Sequence, residues 1–290
     1  MKFNIAYLGP ESLFHLRRDF LLVLKYSLED LGHDVMLSGT TLEASRFNLI
    51  IGAYALKAES LHQIGRSGLA YAHVNTEVIA NDMLNHNPQK TDFLGAYLPS
   101  MEQGRFVWDV IMDNMVEHER YATNAYFLRW GSHPKMADIE HRKEKDLDYY
   151  FFGMLSERRK RLLQSLHSAG LKGAAHHSCP YFVRNDRIAR ARVQLNLIQE
   201  DKYSHVNSFR ICYLADNACC ILSENESDPA DYLRYADVVD PKHLVESVRE
   251  YARGDAWKRR GEAAKAAFSE RPMNGVMEEL LDRSFNQPSA

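Results

Sequence analysis

What this sequence lacks narrows it first. No apolar run approaches the ~20 residues of a membrane span, and the opening MKFNIAYLGP reads as a strand and turn, too short and too polar for a signal peptide. Cysteine is scarce: Cys179, Cys212, Cys219 and Cys220 are the only four thiols in 290 residues, too few for a disulfide framework in a chain this long. Cys219 and Cys220 are adjacent in an apolar segment, so on a strand they would point to opposite faces. Buried, reduced thiols of a cytoplasmic protein are the expectation. An excess of either charge is also missing. With 36 basic and 39 acidic residues, net −3, no global field draws the chain to nucleic acid.

Signature motifs are absent too. No GxGxxG follows the first strand, there is no Walker sequence, and no GxSxG elbow offers a serine for acyl transfer. His176, His177 and Cys179 bear metal-ligating atoms but have no second pair at zinc spacing, so no metal site is expected.

What is present is a core-forming composition, 45% apolar and 11% aromatic, arranged as strands alternating with helices. FNIAYLG ends in a Gly-Pro turn, and ESLFHLRRDFLLVLKYSLEDLG follows with Leu13, Leu16, Phe20, Leu24 and Leu28 at helical spacing. HDVMLSG, FNLIIGAY and LAYAHVN read as strands, ALKAESLHQIG as a helix between them, VWDVIMDNMVEHERYA as one further helix and AYFLRWG as a strand. A polar stretch, residues 132–146, then interrupts the alternation. The pattern restarts with LDYYFFG, SERRKRLLQSLHSAG, KGAAHHS, VQLNLIQ, SFRICYLADN, ACCILSE and YADVVD, and closes with three helices. The expectation is an α/β protein with two doubly wound, Rossmann-like domains. We assign residues 1–135 and 136–270 to them, with 271–290 a C-terminal helix that returns to the first domain.

Three stretches are candidates for chemistry, because open parallel sheets bind ligands outside the carboxyl ends of their strands. ACCILSENESDP delivers Ser223, Glu224, Asn225, Glu226, Ser227 and Asp228 at such an end. These residue types suit ribose hydroxyls and suit a helix cap and turn equally well. In YYFFGMLSERRKR, a strand ends at Gly153 and a helix starts near Ser156, offering free N–H groups to a phosphate. Arg158 and Arg159 in its first turn oppose the helix dipole, a conflict an anion would resolve, whereas Lys160 and Arg161 read as a solvated face. Arg184, Arg187, Arg190 and Arg192 read as a basic surface more readily than as an anion site. Arg210 lies near the start of an otherwise apolar helix and is suited to meet a diphosphate.

AHVNTEVI, VWDVIMDNM, LRWGSHPKM, YYFFGMLSERRKRLLQSL, ARARVQLNLIQ and SFRICYLADNACCILSE occur in an order that resembles the GT-B-fold glycosyltransferases, in particular the spore-coat (CgeB-like) and related bacterial and phage proteins. The resemblance implies a compact GT-B arrangement, with the two domains facing across a cleft. A nucleotide-diphosphate sugar is then the donor, held by the C-terminal half, with no tightly bound cofactor. Gly153, Ser156, Arg158 and Arg159 would face the diphosphate, Arg210 would help neutralise it, and Ser223 with Glu224 would lie near the ribose or sugar. Many relatives carry a Glu on or just before the Arg-bearing helix; here Asn207, Ile211, Cys212 and Tyr213 stand there.

Transfer would then rely on arginine and helix dipole, without metal, to stabilise the leaving group. Candidates for a base are Glu77, just past AHVN, then His15 and Glu11 after the first strand. Alternatives are a non-catalytic nucleotide- or glycan-binding partner protein and a nucleotide-sugar epimerase. The acceptor is open among a glycan, a protein side chain, a lipid and a modified nucleic-acid base.

Overall fold

Every strand of the two main sheets runs parallel to its neighbours, and both sheets are wound in the same order. A computed structural model describes residues 1–87, 91–200 and 205–286, apart from the side chain of Ser12. In chain order the first elements are β1 (Lys2–Tyr7), α1 (Phe14–Asp30), β2 (Asp34–Ser38), β3 (Phe47–Ile51), α2 (Ala58–Arg66) and β4 (Tyr71–Asn75). A small hairpin of β5 (Ile79–Ala80) and β6 (Met83–Leu84) precedes α3 (Leu98–Gln103), β7 (Val107–Asp109), α4 (Asn114–Arg120) and β8 (Ala125–Phe127). The second run is β9 (Leu147–Phe152), α5 (Glu157–Ser168), β10 (Gly173–His176), α6 (Tyr181–Arg190), β11 (Ala191–Asn196), α7 (Ser208–Asp216), β12 (Cys220–Ser223) and β13 (Asp237–Val238). Three helices end the chain: α8 (Leu244–Tyr251), α9 (Ala256–Ser269) and α10 (Met273–Phe285).

The chain divides into two units. Unit 1 holds Met1–Phe14, Leu21–Trp130 and the segment from Met273; unit 2 holds His15–Phe20 and Gly131–Pro272. The unit 1 sheet has the order β2-β1-β3-β4-β7-β8, and the unit 2 sheet β10-β9-β11-β12-β13. In each, the second strand in sequence lies on one side of the first and the third on the other. That reversal leaves a crevice at the carboxyl ends of β1 and β3, and another at those of β9 and β11.

Strands buried on both faces are mainly apolar, and here the exceptions are hydrogen-bonded, as Asn48 of β3 is to Asn4 of β1 at 2.9 Å. All five residues of β3 are buried, as are Tyr149 through Phe152 of β9. In unit 1, α10 returns Phe285 to stack edge-on against Phe106 at 5.2 Å, and Trp108 Nε1 donates to Ser284 Oγ at 2.8 Å. In unit 2, Phe151, Val193, Leu195 and Leu222 pack beneath Leu166 and Val248.

Two expectations fail here. VWDVIMDNMVEHERYA is not one helix: Val107–Asp109 forms β7, paired with β4 and β8, and only Asn114–Arg120 is helical. Burial of Val107, Trp108 and Asp109 between two strands outweighs the helical spacing of the segment. Nor is Arg184 part of a basic surface. It is buried and pairs through two nitrogens with Asp19, also buried, within unit 2.

Candidate functional site

At the carboxyl ends of β9, β11 and β12, two buried guanidinium groups are held by oxygens that carry no charge. Arg210 is on the first turn of α7, whose cap Asn207 accepts from the Arg210 N–H at 3.1 Å. Its Nε and Nη2 donate to Phe152 O at 3.2 and 2.8 Å, and its Nη1 donates to Asn196 Oδ1 at 2.6 Å. Arg159 is on the first turn of α5, capped by Ser156. Its Nε and Nη2 donate to Leu197 O at 3.0 and 2.5 Å, and its Nη1 to Met154 O at 2.9 Å. Among the described residues, neither arginine is hydrogen-bonded to a carboxylate. Burial pushes Arg210 down to about 9 and Arg159 down to about 10. Both therefore stay charged at neutral pH, and two buried cations side by side call for an anion.

Local sequence explains how they come together. Gly153 follows the last residue of β9 with φ at 133°, and a Cβ there would fall 2.6 Å from Arg210 Nη2. The chain then turns into Ser156, whose Oγ donates to Gln199 O at 2.6 Å and accepts from the Arg159 N–H at 3.4 Å. Parallel register sets Asn196 of β11 beside Ser223 of β12, and Asn196 Nδ2 donates to Ser223 Oγ at 2.8 Å. The same Nδ2 donates to Glu226 Oε1 at 2.6 Å. Burial raises the Glu226 carboxyl to about 8, while Arg210 and the bond from Asn196 pull it down.

Arg158 and Glu224 are committed to each other. Arg158 Nη1 and Nη2 meet Glu224 Oε2 and Oε1 at 2.8 and 2.6 Å, and Ile198 N–H donates to the same carboxylate at 2.6 Å. A fork-to-fork pair of this kind fixes both side chains. Glu224 therefore cross-links β12 to α5 instead of standing free for a hydroxyl, and Arg158 spends its charge on it.

Of the residues singled out in the sequence, Gly153, Ser156, Arg158, Arg159, Arg210, Ser223 and Glu224 converge on this one crevice. Glu11 and Glu77 belong to unit 1, and His15 opens the His15–Phe20 segment of unit 2. Glu11 is exposed on the short turn after β1, and His15 is half-buried in the first turn of α1. Glu77 lies in unit 1 past β4, buried, with its carboxylate accepting from Thr76 Oγ1 at 3.0 Å and from Asn85 Nδ2. Behind it sits a polar cluster that the sequence reading missed. Asp109 accepts from Asn75 Nδ2 at 2.7 Å, from Asn114 Nδ2 and from Ile111 N–H, and contacts His118 Nε2 at 2.8 Å. Asn75 and Asn114 also donate to Glu77 O, at 2.7 and 2.9 Å, which fixes the Glu77 backbone. Polar residues buried at strand ends were the available signal: Asn75 closes β4 and Asp109 closes β7. Asn196 was missed likewise.

Solved structures share this architecture along the whole chain. An alpha-glucosyltransferase in complex with UDP and a 13-mer DNA containing a HMU base superposes with TM-score 0.64 at 8% identity, covering 97% of this chain and 99% of that one. The beta-glucosyltransferase of T4 phage gives TM-score 0.60 at 12% identity, over 99% and 100% of the two chains. A glycosyltransferase involved in avilamycin A biosynthesis gives 0.59 at 11%, over 97% and 96%. The fold is of the GT-B type. No protein-family model and no curated protein matches the sequence. Within this GT-B chain, then, the paired arginines occupy the crevice of the second Rossmann-like unit. The described residues include no group of three or more His, Cys, Asp or Glu arranged to hold a metal ion.

Proposed function

We propose that the protein transfers a sugar from a nucleoside-diphosphate sugar to an acceptor, and that unit 2 holds the donor. The observation that carries this reading is the pair Arg159 and Arg210, two buried cations at a strand-end crevice with only neutral oxygens bound to them. A diphosphate supplies the missing negative charge. UDP in complex with structural neighbours of the same fold supports that choice of nucleotide.

In this reading the arginines and the N-termini of α5 and α7 meet the charge that grows on the leaving diphosphate as the glycosidic bond breaks. Ser223 and Glu226 face the hydroxyls of the donor, while Glu224 and Arg158 brace the crevice. Glu77 is the proposed base of unit 1. The proposal extends to kinship with the spore-coat (CgeB-like) glycosyltransferases, on the motif order in the sequence.

One observation favours a second reading, a non-catalytic nucleotide-binding protein: the Glu77 carboxylate is buried and already accepts from Thr76 and Asn85. Incubation with UDP-glucose separates the readings. Release of UDP and free sugar, lost in Arg210→Met, supports the transferase. Tight binding with the donor left intact supports the binder, and conversion of the donor to another UDP-sugar identifies an epimerase.

A further inference from the structure

Unit 1 carries a cavity of its own, and its lining is the opposite of the arginine site. It measures about 340 Å³ and is bounded by Leu8, Leu42, Leu56, Ile64 and Leu69. Leu8 follows β1, Leu42 lies in the β2–β3 connection, Leu56 lies beyond β3, Ile64 is on α2 and Leu69 precedes β4. All four leucines are half-buried. The remaining lining groups are the hydroxyls of Thr40, Ser60 and Ser67 and the amide of Gln63. None of the described residues lining it carries a charge.

The backbone holds the rim of this cavity in shape. Gly52, just after β3, has φ at 81°, and a Cβ there would fall 2.5 Å from Gly9 N. The loops after β1 and β3 approach this closely because position 52 carries no Cβ. Tyr7 OH adds a bond to Pro10 O at 3.1 Å.

From this cavity we infer that unit 1 binds an uncharged, mainly apolar small molecule with one or two hydroxyl or carbonyl groups. Its volume lies within the range of small-molecule sites, roughly 300–1,000 Å³. A phosphate or carboxylate entering it would lose hydration and meet no cation, so anionic ligands are disfavoured. The apolar part of the ligand covers the four leucines, and Gln63 with the hydroxyls of Thr40 and Ser60 fixes its polar end, the Ser67 hydroxyl being bonded to Ile64 O and Leu69 N–H. That this molecule is the sugar acceptor rests on the transferase reading; that the cavity binds an uncharged apolar ligand does not.

The test uses the whole chain and prodan, an uncharged naphthalene dye, titrated by fluorescence. Anilinonaphthalene sulfonate, the same ring system with a fixed negative charge, is the comparison. The inference predicts saturable, blue-shifted prodan binding at one site, and binding of the sulfonate weaker by about tenfold or more. Leu42→Asp puts a charge into the cavity and Ser60→Trp fills it; each should weaken prodan by about tenfold or more. Both lie on half-exposed positions, and a thermal melt followed by circular dichroism reports whether each variant is folded. Prodan binding that is absent, that both folded variants leave unchanged, or that the sulfonate matches would overturn the inference. Prodan bound without UDP binding would sink the transferase reading and keep this one; UDP bound without prodan would do the reverse.

Discussion

Gly153 and Arg210 are fitted to one another: a Cβ on Gly153 would sit 2.6 Å from Arg210 Nη2, and the glycine holds φ at 133°. Gly153→Ala therefore has to strain the backbone and displace the guanidinium together. We expect a loss of about 1–3 kcal/mol in stability, with UDP affinity falling as well. Denaturant melts and UDP titration of this one variant measure both.

Arg210→Met should separate function from stability. The guanidinium is buried against neutral oxygens, so its removal relieves a desolvated charge while leaving the stem volume filled. UDP affinity is expected to drop by about 2 kcal/mol, roughly thirtyfold, while the loss of the donors to Phe152 O and Asn196 Oδ1 offsets the relief of the buried charge and keeps the change in melting temperature small. A variant that loses stability and keeps UDP binding would make Arg210 a structural residue.

Breaking the Arg158–Glu224 pair should cost stability first. Glu224 is 1% exposed, and Arg158→Ala would leave its carboxylate buried with the Ile198 N–H still donating to it. We expect a loss of about 3 kcal/mol. Arg158→Ala combined with Glu224→Gln should recover part of it, because the buried charge is gone. Chemical denaturation of the single and double variants reads this directly.

The pH dependence of UDP binding should follow Glu226. Its carboxyl is raised to about 8 by burial, so it is protonated at neutral pH and acquires its charge as pH rises through that value. A carboxylate appearing beside the bound diphosphate is repulsive, and UDP affinity should weaken as pH rises from 7 to about 8.5, below the range in which Arg210 loses its own charge. Glu226→Gln should flatten the slope over that interval and leave the fall near pH 9, where Arg210 titrates.

Acid sensitivity of unit 1 should trace to His73. Burial holds this histidine down at about 4, with Nε2 on Ser100 Oγ at 2.9 Å. The unfolded chain, with its histidine near the ordinary 6.5, takes up the proton first. The stability contribution is thus full above about 6.5 and is lost as pH falls toward about 4, to an extent of about 3 kcal/mol. His73→Gln should remove that acid limb in denaturation curves followed across the pH range.

Local pattern made much of this readable in sequence. Apolar runs marked the strands, and the strand, glycine, serine, arginine order around Gly153, Ser156 and Arg159 marked a turn into a helix. Asn207 before an apolar helix placed Arg210 on its first turn. What escaped depends on contacts between distant segments. Nothing near Glu224 announces Arg158, which meets it only because β12 and α5 end at the same crevice. Asp19 and Arg184 look like ordinary surface charges until α1 and α6 bury them together. Val107–Asp109 has helical spacing, and only its pairing with β4 and β8 makes it a strand. Asn75, Asp109, Asn114 and His118 form one hydrogen-bonded cluster from three separated elements, which no local window reveals.

The central claim is that the arginine crevice of unit 2 binds a nucleoside diphosphate. A thermal-shift comparison of UDP, GDP, CDP, ADP and TDP, each with magnesium and with EDTA, tests it most directly. At about 100 times its dissociation constant a native-state ligand adds about 2.7 kcal/mol, a rise of several degrees. The account predicts such a rise with UDP in wild type, the same in magnesium and EDTA, and its absence in Arg210→Met. No shift with any diphosphate, or an equal shift in wild type and Arg210→Met, would contradict it.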